Sequence, residues 1–146
     1  MKKNVLLFLI FICLLSCQKT HNENFVATDI SSSHMDTSFK LRDFNGQIRT
    51  LEDFKGKVVV LFFGFTHCPD ICPTTMNDLK KTMNLLKDKA SSVQVIFITL
   101  DPARDTEDVL KKFIPTFNSS FLGLTGSERE IDKVTSQFKI FYKKVN

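Results

Sequence analysis

The sequence predicts a single α/β domain built on a mostly parallel sheet with flanking helices. Three observations lead there. Apolar runs rich in Val, Ile and Phe at 58–65 and 93–100, with a shorter one at 121–126, alternate with stretches whose apolar residues recur at helical spacing, the pattern of βαβ units. An alternating stretch at 39–51, broken by Asn45-Gly46, reads as a β-hairpin at the domain's start. Finally, Cys68 and Cys72 directly follow the first buried run, and open parallel sheets carry their sites at the carboxyl ends of strands.

Length and composition agree. The 146 residues suffice for one domain of ordinary size, and 42% hydrophobic with 25% charged residues is a globular balance. Fifteen Phe with no Trp and one Tyr imply a core built on phenylalanine. The formal net charge of +4 falls to +2 once Lys2 and Lys3 are set aside, which implies no nucleic-acid partner.

Lys2 and Lys3 precede an apolar run at 5–15 that is too short for a stable membrane span but has the size of a secretory h-region. It ends in Leu14-Leu15-Ser16-Cys17, similar to the bacterial lipobox. We expect 1–16 to be a lipoprotein signal peptide, Cys17 to carry the lipid, and 17–37, rich in Asn, Thr, Ser and Asp, to be a flexible tether; the alternative is an uncleaved membrane anchor with an incidental Cys17. His21, His34 and Met35 in that tether have no partner at ligand spacing and read as solvated linker. The expected location is an exported, membrane-anchored lipoprotein facing the periplasm or the cell exterior. Of the four cysteines, Cys13 and Cys17 belong to the signal, so Cys68 and Cys72 remain for chemistry.

The domain is expected over 38–146. Its strand at 58–65 is nearly unbroken apolar, as a strand covered on both faces at the centre of a sheet requires. Beyond Cys72, the apolar positions Met76, Leu79, Met83 and Leu86 define a helix with one buried stripe, broken at Ser91-Ser92. After the second strand, Asp105 or Thr106 caps a helix carrying Val109, Leu110 and Phe113, and Pro115 ends it. Ser127 and Glu130 form a capping box for a helix that buries Ile131, Val134 and Phe138. Residues 139–146 begin a further element, read as a strand.

Four residues is about one helical turn, so Cys68 and Cys72 are expected on one face, able to close a disulfide or clasp a soft metal ion. A helix N-terminus stabilises thiolates. Two sulfurs are too few for structural zinc, whereas Cu(I) accepts two or three ligands. A bridge closing so small a loop would add little stability, which argues against an inert structural disulfide. A peroxidase-like enzyme would want one low-pKa cysteine in its own pocket rather than this pair.

FFGFTHCPDICPTTMNDL, TLDPARDT and FLGLTG, in that order behind LLSC, resemble the Sco family, also called SenC, copper chaperones for cytochrome c oxidase with a thioredoxin-like fold. The resemblance runs from about residue 39 to the last. It implies that Cys68 and Cys72 bind copper and cycle between dithiol and disulfide. Asp101, Arg104 and Asp105, with Pro102, match the family's acidic loop beside the metal, which backs the site or faces the partner. His67 also matches the family pattern but is not its copper histidine. That histidine lies in a downstream loop before a C-terminal strand, and no histidine follows His67 here. We therefore expect a thioredoxin-like domain whose C-terminal hairpin and helix are missing, leaving an exposed edge on one flank of the parallel strands. Copper is expected as Cu(I), with weak Cu(II) binding. The implied function is a membrane-tethered protein that delivers copper to, or maintains the thiols of, the oxidase's dinuclear copper site. Its partners would be the oxidase's copper subunit and a copper donor, with the membrane engaged through lipid on Cys17. The alternative is a thiol–disulfide reductase without a metal role.

Overall fold

The computed structural model describes residues 26–143. The expected signal peptide, the lipidation site Cys17 and the first part of the expected tether lie outside those residues. Residues 26–34 fall in one unit and are exposed, with a turn closed by the Ser33 amide on the Ile30 carbonyl at 2.8 Å. A second, compact unit begins at Met35.

The second unit is a five-stranded mixed sheet in the order β2-β1-β5-β4-β3. β1 (Leu41–Asp43) and β2 (Ile48–Arg49) form the expected hairpin. Gly46 takes φ 79° in its turn, a backbone conformation that costs glycine little. The fully buried Asp43 carboxylate accepts the amides of Asn45 at 2.8 Å and Gln47 at 3.0 Å, which fixes the reversal. The hairpin is shorter than its alternation suggests, because Leu51 already starts a 3-10 turn, Leu51–Phe54, that buries Phe54.

β3 (Val58–Gly64), β4 (Val93–Thr99) and β5 (Leu122–Thr125) run parallel, and β5 pairs antiparallel with β1. Between them lie α1 (Ile71–Leu86), α2 (Glu107–Phe113) and, after β5, α3 (Glu128–Gln137). The core has two layers. On one face Met76 and Met83 of α1 and Leu110 of α2 pack with Val95 and Phe97 of β4; on the other, Ile131 and Val134 of α3 pack with Ile96 and Ile98.

Four expectations need correction. β3 is an edge strand, with Val59 to Phe63 only partly buried, and the central, fully covered parallel strand is β4. A two-sided apolar run shows that layers cover both faces, but not which strands lie alongside. Cys68 sits in the turn before α1 rather than on the helix, and Cys72 is in the helix's first turn. α1 ends at Leu86, ahead of the Ser pair, where Lys87 takes φ 50° and a 3-10 segment, Lys87–Ser92, follows. Residues 139–143 form no strand. Instead Lys139, at φ 56°, ends α3, and the Ile140 amide closes back on the Thr135 carbonyl at 2.8 Å, the left-handed helix stop. The expected caps are present: Ser127 accepts the Glu130 amide and, of the two candidates before α2, it is Thr106 that accepts the Val109 amide.

Candidate dithiol site

Both cysteines are brought to the carboxyl ends of β3 and β4. β3 finishes at Gly64, whose carbonyl accepts the Leu100 amide at 2.7 Å. A Cβ at Gly64 would lie 3.1 Å from the Cys72 sulfur and 3.1 Å from Phe97, so the absence of a side chain there lets the Cys72 sulfur pack against the strand end. The chain then turns through Thr66 and His67, with the Cys68 amide on the Phe65 carbonyl at 3.3 Å. Pro73 falls in the first turn of α1, where a missing N–H is no loss.

The two thiols are free and unequal. Asp70 occupies the N-cap of α1 but makes no side-chain cap bond. The sulfur of Cys68 takes that place, accepting the Cys72 amide at 3.4 Å. Amide donation from Asp70, then from Cys72, holds the Cys68 thiol below the usual range. Cys72 is 5% exposed, and burial first, then the neighbouring Cys68, pushes its thiol up. One sulfur at the lip thus favours the thiolate, while the other, beneath it, holds its proton.

Behind the pair lies a polar cradle of which the sequence reading named Asp105 but neither Thr66 nor Thr99. Asp105 is fully buried and accepts the Thr66 amide at 3.0 Å, the Thr66 hydroxyl at 2.5 Å and the Thr99 hydroxyl at 2.7 Å. Thr99 in turn accepts the Asp101 amide at 2.9 Å. One carboxylate therefore ties the dithiol turn to the end of β4. Thr99 carried a readable signal: it is the single hydroxyl in an otherwise apolar buried run, and a buried hydroxyl needs a partner. Thr66 carried none beyond its place in the cysteine motif.

Asp101 pairs with Arg104 within its own turn, closed by the Arg104 and Asp105 amides on the Asp101 carbonyl at 3.1 and 2.9 Å. The Asp101 side chain is 13% exposed and that of Arg104 59%. Of this loop, Arg104 faces outward and Asp105 faces the dithiol turn. Among the described residues no three His, Cys, Asp or Glu side chains converge on a common point suited to a metal ion, so the donor set on hand is the sulfur pair.

A dithiol at the end of a parallel strand, on a mixed sheet with helices on both faces, defines a thioredoxin-like α/β protein. Within that class the chain belongs to the SCO1/SenC family, whose model matches residues 27–146. It is similar to an SCO2-like protein of Rickettsia felis, 44% identical over 108 residues that make up 74% of this chain and 53% of that protein. The chain thus spans about half the length of the curated relatives of this kind that it matches. Among solved structures, copper-bound ScoI of Bradyrhizobium japonicum is similar with a TM-score of 0.73 at 38% identity, over 77% of this chain and 71% of that one. BsSco, a member of the Sco family of cytochrome c oxidase assembly proteins in which a disulfide switch was identified, has a TM-score of 0.64 at 30% identity, over 76% of this chain and 67% of that one.

Proposed function

We propose that this chain is a membrane-tethered copper-binding protein that delivers copper to, or maintains the thiols of, the dinuclear copper site of cytochrome c oxidase. The observation that carries this reading is the unequal sulfur pair at the end of β3, with Cys68 held toward thiolate by the start of α1 and Cys72 buried beneath it. Cu(I) is soft, accepts two ligands and prefers thiolates, so this donor set fits it. The family and the copper-bound ScoI relative support the same cargo. Of the two sulfurs, Cys68 binds the ion first, and Cys72 gives up its proton as the second sulfur binds. Asp101, Arg104 and Asp105 form the adjoining loop: Asp105 braces the dithiol turn, and the exposure of Arg104 supports a partner-facing role for it. Cu(II), which favours nitrogen and oxygen donors, binds weakly to two sulfurs alone. The membrane tether rests on LLSC and lipid at Cys17, and the partners are the oxidase's copper subunit and a copper donor.

The test is a competition titration of the reduced chain against a Cu(I) chelator. One equivalent is expected to bind tightly, and Cys68→Ser and Cys72→Ser each abolish that binding. Retention of wild-type Cu(I) affinity by the double variant would refute the reading, and tight stoichiometric Cu(II) binding would refute its oxidation-state part. Incorporation of labelled fatty acid, lost in Cys17→Ser, tests the anchor.

The asymmetry of the pair also favours a second reading, a thiol–disulfide reductase. The Cys68 thiolate would attack one sulfur of a partner disulfide, and Cys72 would then displace that sulfur, leaving a Cys68–Cys72 disulfide and a reduced partner. Such a protein reduces a disulfide substrate with no metal present. Metal-free turnover together with feeble Cu(I) binding would select this reading over copper delivery.

A further inference from the structure

The hydrogen bonds around Asp105 fix the proton positions on a neighbouring ring. Thr66 has one hydroxyl proton, and at 2.5 Å from Asp105 Oδ1 that proton goes to the carboxylate. The carboxylate itself meets only donors: the Thr66 amide and the hydroxyls of Thr66 and Thr99. The Thr99 hydroxyl proton is committed to it as well, because Thr99 Oγ1 accepts the Asp101 amide. Thr66 Oγ1 is also 3.1 Å from His67 Nδ1, where it can now only accept. Nδ1 must therefore carry the proton, helped by Asp105 Oδ1 at 3.8 Å. In the neutral ring this leaves the lone pair on Nε2, at the opposite corner of a side chain that is 55% exposed and next in sequence to Cys68.

A ring nitrogen whose partner nitrogen is hydrogen-bonded to a fixed acceptor is the arrangement that readies imidazole for a metal. His67 is not part of a resident cage, since no three candidate ligands converge among the described residues. We infer that Asp105 and Thr66 orient His67 as an exchange ligand, whose Nε2 takes the soft ion at the lip of the site as it passes to or from Cys68 and Cys72. This deepens the copper-delivery reading and rests on it. Thr66 and Asp105 are positioning residues in this step, and His67 is the group that touches the ion.

Two measurements on the reduced full chain test the inference. Long-range proton–nitrogen NMR on the neutral ring should show His67 with Nδ1 protonated and Nε2 bare. Thr66→Ser should keep that tautomer and Thr66→Val should lose it. A wild-type ring protonated on Nε2 overturns the inference without touching the copper reading. In the second measurement, Cu(I) is presented as its bicinchoninate complex and its transfer is followed by the loss of the complex's colour. His67→Gln should slow transfer roughly tenfold, no less than the loss of a group that merely orients a ligand costs, with an unchanged end point. An unchanged rate overturns the inference, as does a fall in equilibrium affinity matching the fall in rate, which would make His67 a resident ligand. A wild-type chain that takes up no Cu(I) overturns both the inference and the reading beneath it.

Discussion

The sulfur of Cys68 accepts amide hydrogen bonds at the start of α1, while Cys72, four residues on, is packed against Gly64 and hidden from water. The direction of each shift gives a reactivity order. Because the Cys68 thiol is held below its usual range, its thiolate persists at lower pH than an ordinary cysteine's, while Cys72 stays protonated beyond the usual range. Iodoacetamide labelling of the reduced chain, read by peptide mass spectrometry across pH 6 to about 9, should therefore modify Cys68 first at every pH, with its midpoint on the acid side. Equal labelling, or Cys72 first, would contradict the geometry. The identity of the pair was legible in the sequence, because two cysteines behind an apolar run are a local signal. Its asymmetry was not, since that depends on which side of the helix start each sulfur falls and on what β3 packs against. The bond from Thr66 to Asp105 was hidden for the same reason: the two are thirty-nine residues apart.

Local elements followed short-range chemistry and were correspondingly readable. The capping box at Ser127 and Glu130 and the Asn45-Gly46 turn involve only neighbours in the chain, and both form where the residues place them. The hairpin owes more to Asp43 than its turn dipeptide suggests. Burial alone would raise that carboxyl, but Arg49 at 2.8 Å and the Gln47 and Asn45 amides together hold it below the usual carboxylate range. A group whose folded value is lowered contributes stability above its unfolded value and loses it as pH falls through the folded one. Asp43→Ala should therefore cost about 2 kcal/mol near neutral pH, within the range for buried donors left unpaired. The gap to wild type should shrink as pH is lowered through and beneath the ordinary carboxylate range of about 4. Urea unfolding of both proteins at neutral and acid pH reads this directly, and a gap that widens in acid would rule out the ionised carboxylate as the source. The left-handed stop at Lys139 had no comparable signal, because lysine is not the residue that sequence reading associates with that conformation.

At the scale of the whole molecule, the alternation of strands and helices gave the layers, but strand order came from pairings across long stretches of chain. β5 enters between β1 and β4, and β3 is left on the outside. Because the Gly64 carbonyl bonds toward β4, alternation along the strand turns the N–H and C=O groups of Val59, Leu61 and Phe63 away from it. No strand pairs with that side among the described residues. The run Val58–Gly64 holds no charge and no proline, the features that ordinarily blunt an edge. Its partly exposed side chains belong to both core layers, Val59, Leu61 and Phe63 on one and Val60 and Phe62 on the other. A lysine on any of these would damage the core as well as the edge. Val58 is different: it is 64% exposed, so a charge there guards the edge at little packing cost. Amide exchange of the full chain should thus show Val59, Leu61 and Phe63 gaining protection as protein concentration rises. Val58→Lys should remove that gain while leaving the urea midpoint unchanged. Protection that is independent of concentration in wild type, or that persists in Val58→Lys, would mean the edge does not recruit another chain.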